Sequence, residues 1–158
     1  MIIEEGKFYF IKNEFFDFFK DYNLMENKEN GVKRPCYFCF RDKYEKDIIW
    51  FVPLSTKYDK YMKIYEYKKT KQKRIFNFVF GEVLGKKSVF LIQNMFPTTE
   101  KYILSKYITE NVDVEITEKV KKKIIAYSRQ VIKMEQKGIQ IAFNNLSEMK
   151  ELLLNSLK

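Results

Sequence analysis

The hydrophobic period of this chain changes once, and that change fixes the class of fold open to it. In the first two-thirds, apolar residues come in short aromatic and β-branched runs: Phe8–Ile11, Pro35–Phe40, Ile48–Val52, Ile75–Phe80 and Ser88–Ile92. Runs of this length, bounded by charged or turn residues, read as strands. The charged stretch Arg41–Asp47 makes a hairpin of the second and third runs. Pro53 is expected to end the third, because proline has no N–H for a ladder. Gly81 and Gly85 are expected to bracket a tight connection, and Met25–Arg34 reads as a loop. One short helix interrupts the strands: behind Asn13 as a plausible cap, Phe15, Phe18, Phe19 and Tyr22 fall at helical spacing to about Asn23. From Thr117 the period becomes helical. Val120, Ile124, Tyr127, Val131 and Met134 recur at steps of four and three, and Gly138 is placed to stop the helix. Met149, Leu152, Leu153 and Leu157 mark a last helix. The expected class is α+β: a compact, curled, barrel-like antiparallel sheet with packed helices, including a long basic one near the C-terminus.

At 158 residues with 15 Phe and 11 Tyr, the chain has the size and apolar content to bury a core as a single domain over residues 1–158. With only 5 Gly and 3 Pro, no linker is visible. The net charge of +9 points to a polyanionic partner. Its placement is uneven: Lys57–Arg74 and Lys119–Lys137 each sum to +6, so the rest of the chain is acidic. The acidic start Met1–Glu5 is unlike a secretion signal, and no uncharged run is long enough to span a bilayer, so a cytoplasmic protein without a membrane role is expected. Cys36 and Cys39 form a C-x-x-C pair, but a structural zinc site needs four Cys or His ligands and the chain has no His and no other Cys. The pair reads as part of a buried strand, with no metal and no cofactor implied. Without histidine, any acid–base chemistry falls to Lys, Arg, Tyr, Ser, Thr or carboxylates.

The run Pro53-Leu54-Ser55-Thr56-Lys57-Tyr58 places two hydroxyls and an ammonium where a strand ends. Such groups suffice for RNA cleavage, in which the substrate's own 2′-OH attacks the adjacent phosphorus. Lys57 suits charge stabilisation on the phosphorane better than the role of base, given an ordinary lysine pKa of about 10.4. Hydroxyls bind non-bridging oxygens or relay a proton. In the block that follows, Tyr58, Tyr61, Tyr65 and Tyr67 alternate with Lys57, Lys60, Lys63, Lys68 and Lys69. Lysines for phosphates and tyrosines for bases are the elements of single-strand binding, although about half of these tyrosines are expected in the core. Arg34, just before a strand, offers a bidentate phosphate contact.

With these features in order, the chain resembles the toxins of type III toxin–antitoxin systems, the ToxN, AbiQ and CptN group, and most of all the CptN branch. The resemblance rests on Phe8-Tyr9-Phe10-Ile11 with its aromatic helix, on Arg34-Pro35 with Tyr37, and on Pro53-Leu54-Ser55-Thr56-Lys57. Phe90–Pro97 and the lysine-rich helix from Thr117 to Gly138 complete it. It implies a compact fold like that of the Kid and MazF toxins, and a sequence-specific, metal-independent endoribonuclease that leaves a 2′,3′-cyclic phosphate. It also implies inhibition by a pseudoknotted antitoxin RNA, which the toxin itself cuts from a precursor and with which it closes into a ring-like assembly. RNA, as antitoxin and as messenger substrate, is the expected partner, DNA is not, and a part in phage defence is implied. By position Ser55, Thr56 and Lys57 are the catalytic trio. Other branches insert a proline before the lysine; here Lys57 follows Thr56 directly, so Lys60 stays open as its substitute. The RNA-contacting set expected from the basic blocks, the tyrosines and the resemblance is Tyr9, Lys33, Arg34, Tyr37, Tyr58, Lys60, Tyr61, Lys68, Lys69, Lys71, Lys73, Arg74, Gln93, Lys121, Lys122 and Arg129. The competing reading is a non-catalytic single-stranded RNA-binding protein, which shares the charge blocks but has no need of Ser55-Thr56-Lys57. A membrane-surface adaptor would require the apolar face of the helix from Thr117 to be free.

Overall fold

The computed structural model describes residues 1–158. In chain order it contains β1 (Phe8–Ile11), α1 (Asn13–Phe18), β2 (Lys28–Glu29), β3 (Val32–Lys33), β4 (Cys36–Arg41), β5 (Ile49–Ser55), α2 (Tyr58–Lys69), β6 (Phe78–Val83) and β7 (Lys86–Leu91). There follow β8 (Phe96–Thr98), β9 (Ile103–Lys106), β10 (Ile108–Thr109), β11 (Val112–Asp113), α3 (Glu118–Gln136) and α4 (Leu146–Ser156). Seven strands form one antiparallel sheet in the order β6-β7-β5-β4-β1-β9, with β8 added beside β5. Its ends, β6 and β9, do not pair, so the sheet curls without closing into a barrel. The class is α+β, as expected.

β5 is the hub. It pairs with β4 along its length, with β8 through Ile49–Phe51 and with β7 through Leu54–Ser55. Pro53 therefore does not end this strand. The amide of Leu54 donates toward β4, to Pro35 O at 3.2 Å. The absent N–H of Pro53 thus faces the other side, where β5 changes partner from β8 to β7, and no ladder bond is lost there. Every residue of β5 is buried, down to the hydroxyl-bearing Ser55.

Both faces of the sheet centre are covered. Phe15 of α1 packs on Phe96 and Tyr102, with Phe19 against Phe15, and Ile124, Ser128 and Val131 of α3 are buried against the sheet. α1 stops at Phe18 rather than near Asn23. The side chain of Asn144 draws the backbone away there, accepting from Asn23 N at 2.7 Å and donating to Asn23 O at 3.1 Å. Gly81 lies within β6, not at a turn; a Cβ on it would stand 3.1 Å from both γ-carbons of Val120, so its role is to let α3 approach the sheet. The β6–β7 turn is instead Leu84-Gly85, both with positive φ. β6 accordingly begins at Phe78 and not at Ile75. α3 has the expected cap and stop: Thr117 Oγ1 accepts from Val120 N, and Gly138 (φ +84°) closes the C-terminus. In α4, Leu146, Met149 and Leu153 face inward, whereas Leu152 and Leu157 are exposed. Cys36 and Cys39 are free and buried in β4, and burial raises both thiols, Cys36 to about 12. No helix is long and apolar enough to cross a membrane.

Candidate active site

The site is built where β5 gives way to α2, from residues that three separate segments bring together. Ser55 is the last residue of β5, Thr56 lies in the turn, and Lys57 occupies the cap position before α2. The amide of Lys57 donates to Ser55 Oγ at 3.2 Å, fixing the corner. Opposite stands a hairpin that fell inside the expected loop Met25–Arg34. Its turn is Asn30-Gly31, with φ of +53° and +79°. An Asn-Gly pair with both φ positive is the turn that matches strand twist in a two-residue hairpin. β2 and β3 on its flanks put Glu29 beside the end of β5.

Glu29 receives four hydrogen bonds. One carboxylate oxygen accepts from Ser55 Oγ at 2.6 Å and from Arg34 Nη1 at 2.9 Å. The other accepts from Thr56 Oγ1 at 2.6 Å and from Thr56 N at 2.9 Å. Burial alone would raise this carboxyl, but the Ser55 and Thr56 donors, then the Arg34 charge, outweigh it and hold Glu29 at about 2. At neutral pH it is an anion with no appetite for a proton. Arg34 is buried and committed: beside Glu29 it bonds Leu54 O at 2.8 Å and, through Nε, Glu26 O at 3.0 Å.

A cleft of about 360 Å³ opens beside this corner, between the Asn30-Gly31 and Leu84-Gly85 turns. Lys33, Lys86, Thr56, Ser88, Phe10 and Tyr107 are among its walls. Thr56 and Lys57 are exposed while Ser55 is 1% exposed, so Thr56 presents the accessible hydroxyl. Lys57 stands at the head of α2, with the exposed Lys60 in the next turn.

The other expected contacts divide. Lys33 is in the cleft. Tyr9 and Tyr37 are each 0% exposed and cannot stack on a base; both are core fillers of the curled sheet, and the Tyr9 hydroxyl accepts from Glu4 N. Their expected RNA contact is corrected on that ground. Gln93 is buried: its side-chain Oε1 accepts from Asn77 Nδ2 at 3.2 Å, and its backbone carbonyl accepts from Phe143 N. Arg34 likewise offers no free fork to an incoming phosphate while Glu29 holds it. In the first basic block Tyr61 is buried against Phe78, and Tyr58 is half-buried against Phe80 with Lys87 over its ring. Tyr67 is exposed, with Lys71 over its ring. Lys69, Lys71, Lys73 and Arg74 are exposed around the end of α2. Lys68 and Arg74 line a larger recess of about 690 Å³ with Phe143 and the α3–α4 connection. On α3, Lys122 is exposed, Lys121 is half-buried near Gly6, and Arg129 stacks 4.0 Å over Phe40 in a separate cleft. The residues the sequence reading missed are Glu29, Lys86 and Ser88. The Asn-Gly dipeptide was the available signal for the first; nothing local marked the other two.

No protein-family model matches the chain, and no curated protein matches it. Solved structures do match it, among them the following two. One is a toxin described in work on selective toxin inhibition by a non-coding RNA pseudoknot in bacterial type III toxin–antitoxin systems; the TM-score is 0.69 at 16% identity, over 98% of this chain and 99% of that one. The other is AbiQ, a lactococcal anti-phage endoribonuclease belonging to the type III toxin–antitoxin system; the TM-score is 0.69 at 17% identity, over 98% of this chain and 100% of that one. Over almost its whole length, therefore, the chain has the fold of ToxN and AbiQ.

Proposed function

We propose that this chain is a metal-independent endoribonuclease toxin of the type III toxin–antitoxin class, in its CptN branch, acting as one domain in the cytoplasm. The observation that carries the reading is the hydroxyl–lysine corner Ser55-Thr56-Lys57, whose Thr56 lines a cleft that also carries Lys33 and Lys86, in a chain that shares its fold with an endoribonuclease. In this reading the RNA 2′-oxygen bonds to the adjacent phosphorus as the bond to the 5′-oxygen breaks; the 2′-OH gives up its proton to solvent, and the departing 5′-oxygen takes one from solvent. A 2′,3′-cyclic phosphate and a free 5′-hydroxyl remain. Negative charge grows on the non-bridging oxygens during this step. Lys57 neutralises it as a point charge, which is the largest single contribution a site of this kind makes. Thr56 and Ser55 hold the phosphate oxygens, and Lys33 and Lys86 align the flanking backbone. A pseudoknotted RNA that fills the same cleft would inhibit, and a ring-like assembly of toxin and RNA would follow from each protein gripping two RNA copies. The exposed basic cluster Lys69, Lys71, Lys73 and Arg74 at the end of α2 supplies salt-dependent affinity for that partner.

The test is induction of wild type, Lys57→Ala and Lys60→Ala in a bacterial host, followed by mapping of new RNA ends. Growth arrest with cyclic-phosphate ends is expected from wild type and Lys60→Ala and is absent from Lys57→Ala, with a loss on the order of 10²-fold or more in cleavage. Well-expressed wild type that binds RNA without new ends leaves the non-catalytic RNA-binding reading.

A further inference from the structure

The carboxylate of Glu29 is a flat, bidentate anion in a receptor of four donors: two hydroxyls, one amide and one guanidinium, at 2.6–2.9 Å. Two oxygens of a phosphodiester present the same geometry and charge to such a receptor. While Glu29 is seated, both hydroxyl protons and one arm of Arg34 are spent on it, and Ser55 and Thr56 have no proton left to donate to RNA. The anion also sits in the one cleft whose walls carry Lys33 and Lys86, where it opposes the entry of RNA phosphate.

The segment that carries Glu29 is built to leave. β2 and β3 pair only with each other and belong to no larger sheet. The neighbouring anchors, Arg34 N to Asn27 O at 3.0 Å and Asn27 Nδ2 to Ile11 O at 2.9 Å, lie at the hairpin's base and are untouched if its tip moves. Val32, on the second strand, is 67% exposed. Withdrawal of Glu29 breaks its own four bonds and no ladder bond of the main sheet.

We propose that Glu29 is an internal phosphate mimic, and that a phosphate group of RNA replaces its carboxylate on Ser55, Thr56 and Arg34 when the β2–β3 hairpin swings out. This deepens the endoribonuclease reading and rests on it for the identity of the ligand. Because Glu29 stays ionised down to about pH 2, the plug is displaced by competition and not by a change of pH near neutrality.

Two measurements test it separately. The first uses inorganic phosphate as the probe and thermal unfolding as the readout, at constant ionic strength against chloride. Glu29→Ala leaves the buried Arg34 without a counter-ion, and phosphate supplies one. The expected result is a lowered Tm that rises by several degrees in phosphate, with no such rise in wild type, whose receptor is full. Should Glu29→Ala fail to fold, Glu29→Gln, which keeps the shape without the charge, replaces it with the same expected contrast. A folded variant that responds to phosphate no more than wild type overturns the anion site, whatever the protein does to RNA. The second measures binding of single-stranded RNA with methylated 2′-hydroxyls, which cannot be cut. Glu29→Gln is expected to bind several-fold tighter, with a log K against log salt slope steeper by about 0.7 for the phosphate gained. Glu82→Gln, which removes the same charge from an exposed position of β6, keeps the wild-type slope. Weaker RNA binding by Glu29→Gln makes Glu29 a brace of the fold and refutes the mimic. A phosphate response without RNA binding by any of the proteins keeps the receptor but refutes both RNA as its ligand and the endoribonuclease reading.

Discussion

Replacing Arg34 by Met should cost about 3 kcal/mol of folding stability, and the number follows from what the guanidinium touches. Arg34 is 6% exposed and joins three acceptors: Glu29 at 2.9 Å, Leu54 O at 2.8 Å and Glu26 O at 3.0 Å. Methionine fills most of the volume of the arginine stem, so little cavity forms. What is lost is polar. Two carbonyls lose this donor and the Glu29 charge loses its counter-ion. Removing one member of a buried pair costs about 3–5 kcal/mol. Glu29 retains Ser55 Oγ and both donors of Thr56, which places the loss at the lower end, about 3 kcal/mol. Urea unfolding at pH 7 reads it as a shift of midpoint at unchanged slope. The double variant Arg34→Met/Glu29→Gln should recover about 1–2 kcal/mol of the loss, because no unpaired charge then remains. A loss under about 1 kcal/mol in the single variant, or a double variant less stable than the single, would show that the pair does not hold the hairpin to β5.

Glu29 also sets a pH dependence. Its folded value lies below its unfolded one, so its stabilisation is complete above about pH 4.5 and is lost as pH falls toward about 2. The shift corresponds to at most about 3 kcal/mol, nearer about 2 once partial solvent screening is allowed for. Acid titration of stability, wild type against Glu29→Gln, should show this step in wild type alone; equal profiles would remove Glu29 as its source. Gly81→Ala should destabilise by about 1–3 kcal/mol, since its Cβ would meet both Val120 γ-carbons at 3.1 Å. Val120→Ala in the same chain should return part of that loss, and an additive double variant would mean the strain lies elsewhere.

Much of this architecture is legible from local rules. The aromatic runs are strands, Thr117 caps α3 and Gly138 stops it, because side-chain alternation, an N-cap hydroxyl and a positive-φ glycine act over a few residues. The hydroxyl–lysine corner is legible too, since one strand and the next helix place it. Three things are not local. Whether Tyr9 and Tyr37 face RNA or the core depends on the curl of a sheet whose paired residues lie far apart in sequence. Pro53 looks like a strand end until β8 and β7 are seen to divide the edge of β5 between them. Glu29 reads as one more charge in a polar loop until the Asn30-Gly31 turn carries it onto Ser55 and Thr56. The chain thus determines by itself where its elements lie and where its positive charge collects. Only the tertiary structure decides which side chains are left to meet a ligand, because burial and a four-donor receptor are made by segments that the sequence does not place side by side.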